Sequence, residues 1–121
     1  MTTFDLEERT LKFAQMVQHF TKELPYTAAN KVYINQVIRS SGSIGANYLE
    51  ANDALGSGDF LKHMRISRKE AKETAYWLRL FDVAKRHDLE QKRQILVQEA
   101  HELRLILSTI LVKCEKKKLQ K

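Results

Sequence analysis

The chain has 121 residues, 43% apolar and 30% charged, with 21 basic against 15 acidic side chains for a formal charge of +6. This is one domain's length with enough apolar material for a core, and its charge directs attention to anionic partners such as RNA, DNA or an acidic protein face. A single cysteine, Cys114, excludes an internal disulfide; no apolar run suits a bilayer and "MTTFDLEERT" lacks the basic start and apolar core of a signal peptide, so a cytoplasmic protein without membrane contact is expected.

One proline and four glycines leave few places to turn. In a chain rich in Leu, Ala, Glu, Lys, Gln and Arg, that scarcity predicts a few long helices. The first is expected over about 4–23, with Leu6, Phe13, Val17, Phe20 and Leu24 on one face and Pro25 ending it. The second is expected over about 27–55, up to the break "GSGD". The third, about 59–86, places Phe60, Met64, Ser67, Ala71, Leu78 and Phe81 on one stripe. The fourth, about 89–118, follows "HDLEQ", where Asp88 is a plausible N-cap. Its stripe is Leu96, Ala100, Leu103, Leu107, Ile110 and Cys114. No segment alternates with the period of two that a strand needs. Short connections between long amphipathic helices give one domain, residues 1–121, folded as an all-α, up-down antiparallel four-helix bundle.

The second helix carries the least ordinary stretch, "IRSSGSIGANYLEA" at 38–51. A glycine loop would reset the apolar phase, but Ile34, Val37 and Ile38 before Gly42 continue through Ile44, Tyr48 and Leu49 after it. The stretch is therefore read as a helix thinned for close approach of a neighbour. "GSIG" matches a nucleic-acid-clamping Gly-x-x-Gly loop, but that module needs strands. Gln36, Ser40, Ser43, Asn47 and Glu50 form a second continuous stripe on the wheel. Such small polar side chains suit a crowded, hydrogen-bonded seam. Arg39 and Glu50 are expected to find charges on the third helix, with Glu70 and Glu73 as candidates.

The blocks "QVIRSSGSIGANYLEA" and "GDFLKHMRISRKEAKETAYWLRL" resemble the four-helix proteins encoded in intervening sequences of bacterial 23S ribosomal RNA genes, the S23 family. The residues that carry the resemblance are Arg39, Ser40, Ser41, Ser43, Ile44, Asn47 and Glu50, then Phe60, Glu70, Glu73 and Leu78. The resemblance implies a bundle that assembles into a ring of five. It also implies kinship with the basic accessory protein of diversity-generating retroelements, thought to bind nucleic acid and a reverse transcriptase. Many members have Glu-Gly where this chain has Glu50-Ala51.

Surplus apolar surface argues for a homo-oligomer separately. Ile66, Trp77, Leu80 and Ala84 on the third helix, and Leu105, Val112 and Leu119 on the fourth, fall away from the core stripes. Contiguous exposed apolar groups mark interfaces, and Trp77 is the expected anchor. The positive charge is also grouped. Lys62, Arg65, Lys69 and Lys72 share a face of the third helix and are the candidate phosphate contacts. Lys113, Lys116, Lys117, Lys118 and Lys121 gather at the C-terminus, where they complement the helix dipole.

Enzyme chemistry finds no support. The residues three before His19, His63, His87 and His101 are Met16, Phe60, Ala84 and Gln98, so the Glu-x-x-His pairs of a di-iron bundle are missing. Neither His63 nor His101 has the flanking pattern of a phosphotransfer histidine. No phosphate loop or nucleophile–base pair occurs, and no metal or cofactor is expected. The sequence thus supports a non-enzymatic oligomer that binds nucleic acid or a ribonucleoprotein. A protein-only scaffold is the alternative, and a phosphotransfer or metal-binding bundle a distant third.

Overall fold

A computed structural model describes residues 3–119, with side chains for residues 6–117. It contains four helices in chain order: α1 (Thr3–Glu23), α2 (Ala28–Asn52), α3 (Ser57–Leu80) and α4 (His87–Leu119). No strand occurs among the described residues. Side-chain pairings, together with the short connections between consecutive helices, fix the direction of every neighbour. Between α1 and α2, Glu7 meets Asn52; between α2 and α3, Arg39 meets Glu70 and Asn47 meets His63. Between α3 and α4, Arg65 meets Glu115; between α1 and α4, Arg9 meets Glu99 and Glu23 meets Lys92. Each adjacent pair is antiparallel.

The core follows the expected stripes. Leu6, Phe13, Val17 and Phe20 of α1 are buried with Met64, Ala71 and Leu78 of α3 and Leu96, Ala100, Leu103 and Leu107 of α4. Ile110 and Cys114 are only partly buried, and Leu111 takes the fully buried place at that level. In α2 the buried line is Val37, Ser41, Ile44, Tyr48 and Ala51, whereas Ile38 and Leu49 lie exposed on its outer flank.

The helix through 38–51 is continuous. Its two glycines serve differently. A Cβ on Gly45 would stand 2.8 Å from Thr10 Oγ1 and 3.2 Å from Thr10 Cβ, so the missing side chain lets α1 lie against α2. A Cβ on Gly42 would meet nothing within 4 Å. Close approach therefore explains one glycine of the pair within this chain.

Two helix limits differ from expectation. α2 starts after the N-cap Thr27, whose hydroxyl accepts from Asn30 N, and ends at Asn52. α3 ends at Leu80 because Phe81 turns extended, and Ala84 and Lys85 then take left-handed backbone at φ 55° and 59°. Ala84 is thus an exposed loop residue and not part of a helical stripe. Asp88 lies inside the first turn of α4, paired with Arg86 at 2.7 Å, and is not the N-cap.

Asn30 ties the two loops at this end together. It is fully buried, donates through Nδ2 to the carbonyls of Pro25 and Asp82, and accepts from Asp82 N, all at 2.9–3.0 Å. Phe20, Phe81, Tyr33, Trp77 and Tyr76 form a chain of ring contacts running outward above it.

Candidate nucleic-acid interface

The charges of α3 separate by side, and the cause is the α2–α3 seam. α3 has three acids, Asp59, Glu70 and Glu73. Arg39 of α2 reaches Glu70 at 3.2 Å and Glu73 at 3.3 Å, while Asp59 faces His63 at 3.5 Å one turn on. Helical phase puts all three on the side toward α2. Glu70 is only 8% exposed, so Arg39 supplies the counter-charge that its burial needs.

The rest of the seam is hydrogen-bonded within the subunit. The Ser40 and Thr74 hydroxyls, both fully buried, are bonded at 2.8 Å, and the Ser67 hydroxyl donates to the Ile44 carbonyl at 2.7 Å. Asn47 Nδ2 donates to the Ser43 carbonyl, and its Oδ1 faces His63 Nδ1 at 3.2 Å. Of the expected stripe, Ser40 is buried, Ser43 and Asn47 are half-buried, and Glu50 is exposed without an ion pair among the described residues.

With the acids drawn to one side, the outward side of α3 is left cationic. Lys62, Arg65, Lys69 and Lys72 are all exposed there. Arg65 is half engaged by Glu115 of α4 at 3.5 Å; Lys62, Lys69 and Lys72 make no ion pair among the described residues. Arg68 and Arg79 flank them toward α4. Arg104, in phase with Glu115 on α4 and exposed, faces the same side. Beyond Arg79 a shallow depression is lined by Glu90, Arg93, Gln94, Val97 and Gln98.

One residue of this face is missing from the sequence-based set. Tyr76 lies four residues after Lys72 and seven after Lys69, and it is 57% exposed. Its ring contacts Trp77 edge-on, with centroids 5.4 Å apart. The signal was available, since Tyr76 shares the lysine phase, but a tyrosine also suits a core edge.

The expected oligomer residues divide. Leu105 and Val112 stand out from α4 at 65% and 51% exposure, seven residues and so nearly one phase apart. Leu80 is exposed and Ile66 half-buried. Trp77 is half-buried within the subunit, against Tyr33 and the core, because α2 fills the space on that side. Its indole Nε1 is buried without a hydrogen-bond partner. The side chains of Lys118, Leu119 and Lys121 lie outside the described residues.

Among the described residues, no three His, Cys, Asp or Glu side chains gather as metal ligands. No helix among the described residues is long and apolar enough to cross a membrane.

These features define an all-helical bundle with an internal polar seam, a cationic outer face on α3 and an apolar strip on α4. The chain belongs to the family of 23S rRNA-intervening sequence proteins, whose pattern matches residues 3–109. Its fold is also that of a Bacteroides thetaiotaomicron protein of unknown function from the S23 ribosomal protein family, solved as a crystal structure. The two are 30% identical, and the match covers 92% of this chain and 98% of that one with a TM-score of 0.77. No curated protein matches the chain.

Proposed function

We propose that this protein is a non-enzymatic, homo-oligomeric bundle that binds nucleic acid, free or within a ribonucleoprotein, through the outward face of α3. The observation that carries the reading is the segregation of charge: Lys62, Lys69 and Lys72 stand exposed and unpaired among the described residues, while the acids of the same helix face α2. Neutralising three or four phosphates gives log K against log salt a slope of about −3. Replacing Lys62, Lys69 and Lys72 by Gln flattens that slope and abolishes binding at physiological salt. Absence of binding to RNA and DNA even at low salt removes the reading.

The exposed Leu105 and Val112 of α4 support the homo-oligomer, in which each added copy would multiply the cationic face. The ring of five is what kinship with the family suggests. Light scattering on the wild type and on Leu105→Asp and Val112→Asp is the measurement. A monomeric wild type rejects the oligomer.

The second reading is a scaffold that binds only protein. It is favoured by the groove between α1 and α4, where Phe13, Met16 and Ile95 lie among Lys12, Gln91 and Gln98. A partner retained after nuclease treatment and high salt would select it.

A further inference from the structure

We propose that the α3 face takes single-stranded nucleic acid, with the Tyr76 ring as a platform on which a base stacks. The proposal rests on the nucleic-acid reading above and adds which form is bound and by what contact.

An exposed aromatic ring in a cationic stripe is the pairing by which proteins hold single strands: cations follow the phosphates, and rings take base faces. The ring of Tyr76 continues the line of Lys69 and Lys72 on the outward side of α3. From Lys62 to Tyr76 the helix rises about 21 Å. A duplex keeps its base faces inside the stack, so it would meet the lysines and leave the ring idle. A single strand offers both phosphates and base faces at once.

The ring is also braced. Trp77 abuts it edge-on and leans in turn on Tyr33 with centroids 6.1 Å apart; Tyr33 contacts Phe81, and Phe81 contacts the buried Phe20. The edge contact with a partly buried tryptophan restricts the Tyr76 ring before any base arrives and so lowers the ordering cost of stacking. Its neighbours Lys72 and Arg79 add cations on either side, and the α3 acid nearest it, Glu73 three residues earlier, is held by Arg39 at 3.3 Å.

The test uses the full chain with a labelled oligouridylate and oligothymidylate of about twelve nucleotides, the matching RNA and DNA duplexes, and a polyglutamate. Anisotropy reads affinity. Emission of Trp77, the one tryptophan in the chain, reads occupancy beside Tyr76. Either single strand is expected to bind about tenfold tighter than its duplex and to change Trp77 emission. Tyr76→Ala should lose about tenfold in single-strand affinity with its salt slope unchanged, while Tyr76→Phe stays within about twofold. Lys69→Gln should instead reduce the slope by about one. Far-ultraviolet circular dichroism confirms that the variants fold. Whichever sugar binds tighter names the natural strand. Tyr76→Ala binding like wild type, or duplex binding as tightly as single strand, overturns the platform and leaves the nucleic-acid reading standing. Polyglutamate binding equally well overturns the platform too, because a general anion patch needs no ring. Failure of every nucleic acid to bind at low salt removes both.

Discussion

Gly45 and Gly42 lie three residues apart in one helix, and the same substitution should move stability in opposite directions. Alanine at either site gains about 1 kcal/mol of helix propensity over glycine. At Gly42 the new methyl enters open space, so Gly42→Ala should stabilise by up to that amount. At Gly45 the methyl arrives 2.8 Å from Thr10 Oγ1, whereas ordinary contact needs about 3.5 Å or more. Thr10 yields poorly. It is buried, β-branched, and its hydroxyl donates to the Glu7 carbonyl at 3.0 Å. Overpacking of this kind costs about 1–3 kcal/mol, which leaves Gly45→Ala destabilised by roughly 1 kcal/mol after the propensity gain. The two variants should therefore differ by about 2 kcal/mol, or roughly 6–10 °C in melting temperature. Urea and thermal unfolding at matched protein concentration measure it, since self-association also contributes to stability. Adding Thr10→Ala to Gly45→Ala should recover about 1 kcal/mol relative to additivity. A Gly45→Ala protein as stable as Gly42→Ala would refute the claim that α1 approaches α2 over the bare backbone at Gly45.

Three further outcomes are expected. Asn30→Ala should cost about 3 kcal/mol in urea unfolding, because it leaves two carbonyls and one amide without partners between the loops. Asn30→Asp should do no better, since it accepts but cannot donate to those carbonyls. Arg39→Gln should cost about 1 kcal/mol by stripping Glu70 of its counter-charge, and Glu70→Gln in the same chain should restore part of it. Asp88 accepts from Arg86, and that hydrogen bond holds its carboxyl below its ordinary value of 3.8. A depressed folded-state pKa gives stability that is fully present above 3.8 and lost as pH falls through the lower folded value. Asp88→Asn should flatten the dependence of the unfolding midpoint on pH below 3.8.

The helices were legible because their phase is a local property. Ile34, Val37, Ile44 and Tyr48 keep helical register across Gly42 and Gly45, and no loop would preserve it. The end of α3 was not legible: no glycine or proline follows Leu80, and the reversal is made by Ala84 and Lys85 in left-handed backbone, which such residues rarely adopt. Asn30 was hidden for another reason. An asparagine early in a helix reads as local capping, but its partner Asp82 lies 52 positions away. Trp77 reads as surplus on a wheel of α3 alone; only the placement of α2 and Tyr33 beside it covers part of its ring.

The candidate site was half legible, and the division has a physical cause. Arg39, Ser40, Asn47, Glu70 and Glu73, which carry much of the family resemblance, are engaged in holding α2 to α3 or in capping their own turns. They report how the bundle closes. A ligand must be met by groups that the fold does not already occupy, and on α3 these are Lys62, Lys69, Lys72 and Tyr76. The two sets are nonetheless coupled. Arg39 holds Glu70 and Glu73 toward α2 and so keeps their carboxylates from diluting the lysine face. If Arg39 is lost, Glu73, already half-exposed, is free to swing toward Lys69, its neighbour one turn earlier. Arg39→Gln should then weaken nucleic-acid binding and lower the salt slope, although Arg39 itself contacts no ligand. A variant that loses stability but keeps the wild-type slope would separate the seam from the surface and leave the face cationic by composition alone.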